Sequence, residues 1–176
     1  MLKGTTICAV KRDGITAIAG DGQVTMGEHT ILKGNAKKVK RIYNDKVVMG
    51  FAGSVSDAFS LSEKFEEMLQ KYSGNLLRSC VELAEEWRKG NMIRPLEALL
   101  IVADKDNMFI VSGNGNVIEP EGGACAIGSG GNYALSAARA LLANTDLKAD
   151  EIALRSMKIA SELCVFTNDN FTLEIV

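Results

Sequence analysis

The chain has 176 residues, of which 47% are apolar and 24% charged, with a net charge of −2 and a single histidine, His29. That length and balance fit one soluble domain with a full core. They exclude the clustered positive charge of a nucleic-acid surface, a membrane span of ~20 apolar residues, His-rich metal sites and paired-histidine chemistry. Cys8, Cys80, Cys125 and Cys164 are scattered without a CxxC pair, and the start lacks a long apolar leader. They read as reduced, mostly buried thiols of a cytosolic protein.

In chain order, "TTICAVKR" (5–12) and "ITAIAGD" (15–21) read as strands around a turn at Asp13-Gly14. "KKVKRIYNDKVVMGFAG" (37–53) gives two more strands about Asn44-Asp45. In 54–74, Ala58, Leu61, Phe65, Met68, Leu69 and Tyr72 recur at helical spacing, with Gly74 as the stop. A second helix over 75–90 carries Leu76, Cys80, Leu83, Ala84 and Trp87 on one stripe. Strands return at 96–104, 107–113 and 116–120, then at "ACAIGSGG" (124–131). Helices over 132–145 and 148–164 precede a last strand, "FTLEIV" (171–176). Hairpin-length links imply antiparallel pairing. One-sided helices must bury their stripe on a sheet, so the order predicts an α+β fold layered helix–sheet–sheet–helix.

Several stretches have both an ordinary and a chemical reading. "GSGG" (128–131) before a helix is a tight turn or an anion cradle, and it lacks the GxGxxG and GxxxxGK[ST] patterns. "AGDGQ" (19–23) makes Asp21 a turn residue or a carboxylate that holds a lysine. "GNAKKVKR" (34–41) is a solvated charge run or the source of that lysine. Lys38 and Lys40 share one strand face, Lys37 and Val39 the other. The cysteines have no histidine partner and read as core.

Thr5-Thr6 poses the sharpest choice. The pair is two β-branched strand residues, or Thr5 is a nucleophile uncovered by removal of Met1–Gly4. A threonine at a free N-terminus carries its own general base, because an α-amino group has a pKa of ~8 and a lysine of ~10.4. A neighbouring lysine ammonium favours the neutral amine and a developing alkoxide, and a carboxylate would hold that lysine. Such machinery needs neither histidine nor catalytic metal.

Taken together, "TTI", "AGDGQVTMG", "KGNAKKVKR", "GFAGSVSDAF", "EWRKGNM", "RPLEALLIVADK", "SGNGNVIEP", "AIGSGGNYALSAARALL" and "LCVFTNDNF" resemble the HslV (ClpQ) family of bacterial proteasome-β-like peptidases. The resemblance runs from Thr5 nearly to the C-terminus. It implies the N-terminal nucleophile hydrolase fold, with two antiparallel sheets between helix layers, and residues 1–4 as a short propeptide before a single peptidase domain, 5–176. It places the nucleophile on Thr5, the aspartate on Asp21 and the serine near the amine on Ser129. The lysine ending G-N-x-x-K is Lys38 rather than Lys37, because "GEHTILKGN" is one residue longer than the usual segment. Oxyanion donors fall on the "GFAG" amides, Gly53 first and Gly50 second. A structural or allosteric Na+ would be held by backbone carbonyls of Ser161, Cys164 and Thr167, with Ser161 replacing the usual glycine. Pro95 stands where a basic residue is usual. The implied partners are hexamers of the HslU (ClpY) AAA+ ATPase, which alone uses ATP to unfold protein substrates. The implied assembly is a cytoplasmic homododecamer of two stacked hexameric rings. Two other functions fit the pattern: an N-terminal nucleophile amidohydrolase acting on a small amide, and a catalytically silent ring subunit.

Overall fold

The computed structural model describes residues 2–89 and 98–176. The Pro95 position and the first residues of the strand expected from 96 lie outside that range. The elements are β1 (Leu2–Lys3), β2 (Thr6–Arg12), β3 (Ile15–Gly20), β4 (Val24–Met26), β5 (Thr30–Lys33), β6 (Val39–Ile42) and β7 (Val47–Ala52). They continue through α1 (Val55–Lys71), α2 (Leu76–Arg88), β8 (Leu99–Ala103), β9 (Met108–Ser112), β10 (Val117–Ile118), β11 (Ala124–Gly128), α3 (Gly131–Asn144), α4 (Ala149–Leu163) and β12 (Thr172–Ile175).

Two antiparallel sheets form the centre, one ordered β11-β2-β3-β12 and the other β10-β9-β8-β7-β6. The pleat explains how each strand serves two layers. Ile7, Ala9 and Ile18 point between the sheets to meet Val39, Val48, Ile101 and Ile127. The alternate residues Cys8, Val10, Ala17 and Ala19 face Ala134, Ala138, Ile152, Ala153 and Met157 of α3 and α4. On the opposite outer face, Leu61, Phe65 and Leu69 of α1 and Leu83 and Trp87 of α2 cover Met49, Leu100, Val102 and Val111. Phe65, Leu69 and Leu83 are fully buried, each contributing about 1.5–3 kcal/mol over exposure. The expected four-layer helix–sheet–sheet–helix sandwich is therefore the observed one.

The helices begin where the sequence can cap them. Ser54 accepts from Asp57 N–H at 3.2 Å and Asn75 from Arg78 N–H at 2.9 Å, each filling an orphan donor of the first turn. Arg12 reaches from β2 to donate to the carbonyls of Leu142, Thr145 and Leu147 at the end of α3, where a cation suits the negative helix pole.

One feature was not anticipated. A third sheet, ordered β1-β4-β5, is formed by residues 2–3 lying antiparallel to β4, with Leu2 opposite Met26 and Lys3 opposite Thr25. The segment ahead of Thr5 is thus paired backbone.

Candidate active site

Where the third sheet meets the two main ones, Thr5 leads into β2. Thr5 is nearly buried, and its carbonyl accepts from Ser129 N–H at 2.8 Å. Gly128 makes that approach possible: with φ +89°, a Cβ there would stand 2.0 Å from the Thr5 oxygen. Thr6 is held on every polar atom. Its N–H donates to Asp21 Oδ1 at 2.8 Å and its carbonyl accepts from Asp21 N–H at 3.1 Å. Its hydroxyl accepts from Gly130 N–H at 2.8 Å and lies 2.7 Å from the Thr167 hydroxyl.

Asp21 follows β3 and is fully buried. Its Oδ1 also accepts from Lys38 Nζ at 2.8 Å, and its Oδ2 accepts from the N–H groups of Gln23 at 3.0 Å and Asn168 at 3.4 Å. Lys38 has a side chain only 8% exposed and donates as well to the carbonyls of Gly4, at 2.8 Å, and Gln23. Burial pushes the Lys38 ammonium below the ordinary lysine value, and the Asp21 carboxylate opposes that shift. Lys37 is exposed on the rim and makes no ion pair among the described residues. The register that decides between them is local. The Lys38 carbonyl accepts from Phe51 N–H at 3.1 Å, which turns this lysine inward just before β6 begins.

The Gly4–Thr5 peptide lies at the focus. Thr5 Oγ1 donates to the Gly4 carbonyl at 2.6 Å, and Lys38 Nζ donates to the same oxygen. One carbonyl therefore meets a hydroxyl and an ammonium, with a buried carboxylate behind the ammonium. Such an arrangement can support acyl transfer, because a hydroxyl lies beside a carbonyl polarised by an ammonium.

Thr5 and Gly4 border a cavity of about 440 Å³, walled by Val24, Met49, Phe51, Ala58 and Phe59, with Lys33, Lys37 and Lys40 at its sides. The Lys40 ammonium sits 5.7 Å from the centre of the Phe59 ring. An extended peptide bound at Thr5 would place a side chain here.

Among the remaining expected residues, Ser129 meets Thr5 through its backbone N–H, while the residue as a whole is exposed. Gly53 lines the cavity. Gly50 lies in mid-β7 between β6 and β8, so its amide sits inside the sheet. Ser161, Cys164 and Thr167 follow one another at the end of α4, where the Cys164 carbonyl accepts from Thr167 N–H at 3.1 Å. All four cysteines are buried and unpaired, and burial pushes the Cys8 thiol up to about 12. They are core, as their sequence positions imply. Gln23 and Asn168 brace the site without having been singled out, and Thr6 and Thr167 brace it through side-chain contacts that were not expected of them. Only the repeated Asn of "FTNDN" hinted at Asn168, and such runs ordinarily mark turns.

Comparison with known proteins gives a consistent answer. A family model described as proteasome subunit matches residues 1–176. The ATP-dependent protease subunit HslV of Petrotoga mobilis is 61% identical over 173 residues, covering 98% of this chain and 97% of that one. Its counterpart from Caldanaerobacter subterraneus is 58% identical over 174 residues, covering 99% of each. The crystal structure of eukaryotic HslV from Trypanosoma brucei superposes with a TM-score of 0.91 at 44% identity, covering 97% of this chain and 98% of that one.

Proposed function

The chain belongs to the proteasome family and, within it, to the HslV peptidases, and from that premise we propose that Thr5 is its catalytic nucleophile. The protein is the threonine-type peptidase subunit of an ATP-dependent protease, working with an ATPase partner as part of an oligomeric ring. One observation carries the residue assignment: the Thr5 hydroxyl and the Lys38 ammonium, which the buried Asp21 carboxylate holds, converge on the Gly4 carbonyl.

With residues 1–4 in place, the Thr5 nitrogen is an amide and has no basicity. The same geometry provides for their removal. Thr5 Oγ forms a bond to the Gly4 carbonyl carbon, the Gly4–Thr5 C–N bond breaks, and the hydroxyl proton ends on the released amine. Water then hydrolyses the ester, leaving Gly4 as a carboxylate and Thr5 as the new terminus. In turnover the free amine takes the Thr5 hydroxyl proton as Oγ attacks a substrate carbonyl, then passes it to the leaving amine. Water, deprotonated by the same amine, releases the acyl-enzyme. Lys38 stabilises the developing alkoxide and keeps the amine neutral, Asp21 holds Lys38, and Ser129 orients the amine. The backbone N–H of Gly53, which borders the cavity, binds the oxyanion; removing one such donor typically costs ~3–4 kcal/mol.

A Na+ ion fits the end of α4. The last turn of that helix has no basic side chain to meet its carbonyls, and Ser161 keeps an ordinary negative φ that a residue with a Cβ accepts. The carbonyls of Ser161, Cys164 and Thr167 would hold it, and it would fix the loop that carries Thr167. The assembly is two stacked hexameric rings capped by hexamers of the HslU-type AAA+ ATPase, in the cytoplasm. Ile31, Phe59, Leu163 and Val165, 60–79% exposed in the single chain, supply apolar surface for such contacts. Among the described residues no helix is long and apolar enough to cross a membrane.

The test combines the intact mass with fluorogenic-peptide hydrolysis, with and without the ATPase. Activity should follow the fraction of chains that begin at Thr5. Undiminished turnover by a sample retaining all 176 residues would overturn the assignment.

A further inference from the structure

Asn168 lies in the loop between α4 and β12, far in sequence from both catalytic loops. Its Oδ1 accepts from Gly22 N–H at 3.0 Å, beside Asp21, and its Nδ2 donates to the Gly34 carbonyl at 2.8 Å, in the stretch that leads to Lys38. Its backbone N–H donates to Asp21 Oδ2 at 3.4 Å. Those two stretches are in close contact. A Cβ on Gly22 would come 2.5 Å from the Gly34 oxygen, and Ala36 N–H donates to the Gly22 carbonyl at 2.9 Å. Asn170 makes a second, one-sided contact: its Nδ2 donates to the Gly34 carbonyl at 2.7 Å, while its N–H donates to Asn168 Oδ1 at 3.3 Å.

We propose that Asn168 is a positioning residue for peptide hydrolysis, whose carboxamide sets the separation of the Asp21 and Lys38 stretches and so the placement of the Lys38 ammonium at Thr5. This rests on Thr5 as the nucleophile. A carboxamide suits the task because one planar group offers an acceptor to one stretch and a donor to the other. Neither aspartate nor serine supplies both at that span. Asn168 does not line the substrate cavity, so it acts on the chemical step and leaves substrate binding alone. Displacements of about an ångström at a catalytic group cost on the order of 100-fold.

The assembled protein with residues 1–4 removed is prepared as wild type, Asn168→Ala, Asn168→Asp, Asn170→Ala and Thr5→Ala. The measurements are kcat per site titrated with a hydroxyl-directed covalent inhibitor, KM, and amide hydrogen exchange. Asn168→Ala and the nearly isosteric Asn168→Asp should each lower kcat per titrated site at least tenfold, with KM within twofold. Exchange should quicken at 22–23 and 34–38. Asn170→Ala, which leaves the Asn168 bridge intact, should lose less than threefold. The proposal is overturned if Asn168→Asp keeps kcat within twofold, if the loss lies wholly in the number of titratable sites, or if exchange at both stretches is unchanged. Should Thr5→Ala retain turnover, the nucleophile assignment fails separately, and the exchange data alone decide whether Asn168 holds the two stretches.

Discussion

Replacing Lys38 by alanine tests the core of the mechanism and the choice between adjacent lysines. The Lys38 side chain is 8% exposed and its Asp21 partner fully buried, 2.8 Å away. Removing one member of a buried pair typically costs 3–5 kcal/mol, because the other charge is left uncompensated. Asp21 would still accept from three backbone N–H groups, those of Thr6, Gln23 and Asn168, which sets the expectation at the lower end, about 3 kcal/mol. For a domain of this size that is a drop of roughly 6–12 °C in Tm, read by calorimetry at fixed protein concentration, since assembly contributes to stability. Peptide turnover should fall at least ~100-fold, the scale of losing a group that controls proton transfer. Lys37→Ala removes an exposed side chain and should change stability by less than about 0.5 kcal/mol; it borders the cavity, so any effect on turnover should fall on KM and leave kcat nearly intact. If Lys37→Ala proves as damaging as Lys38→Ala, the residues have been paired wrongly. If Lys38→Ala loses stability but keeps turnover, the ammonium is structural.

Thr5→Ala should abolish both removal of residues 1–4 and peptide hydrolysis while leaving the rings assembled, whereas Thr5→Ser, which keeps hydroxyl and amine, should retain part of each; intact mass and gel filtration report both. Turnover should rise as the Thr5 amine loses its proton and fall again on the alkaline side below the ordinary lysine value of ~10.4, because burial lowers the pKa of Lys38. In the window between the folded and unfolded Lys38 values the unfolded chain holds more protons, so this group's contribution to stability rises with pH as activity falls; a Tm that drops in step with activity would contradict the assignment. Thr6→Val strips the partner from Gly130 N–H and the Thr167 hydroxyl and should cost about 1–3 kcal/mol, measured by denaturant titration; no change would mean that water replaces the hydroxyl. Isolated rings should cleave only small peptides, and degradation of a stably folded protein without the ATPase would refute the dependence on a partner.

Much of the sandwich was legible because its strands are apolar runs bounded by turns and its helices are long and one-sided. Residues 6–12 form a β-branched, apolar run bounded by a turn, buried on both faces through residue 10, and the helical stripe from Leu61 to Leu69 admits one burial pattern. The third sheet was not. Its strands are two to four residues long, and β5 is exposed at every position, so no alternation exists to read. At the site, the residues alone left Asp21 as a turn residue or a lysine partner and left Lys37 and Lys38 open; the family's G-N-x-x-K stretch pointed to Lys38, the lysine whose ammonium meets Asp21 in the fold. Asn168 was hidden for the opposite reason: its side chain meets partners 146 and 134 residues away, and a short Asn/Asp run resembles any turn. The contact of Ser129 with Thr5 through its amide depends on the turn conformation at Gly128 rather than on the serine side chain.

The fastening of Thr6 explains why two threonines stand together. With its N–H, carbonyl and hydroxyl all engaged, and the Thr5 carbonyl tied to Ser129, the backbone reaching the nucleophile is immobile up to its last rotatable bonds. Ordering one residue's backbone costs about 1–2 kcal/mol of conformational entropy, and here that ordering is complete when the chain folds. A newly exposed Thr5 would then have little left to search: one side-chain torsion for the hydroxyl and one rotation for the amine. A chain end, usually the loosest part of a protein, becomes as well-aimed as a side chain in mid-strand.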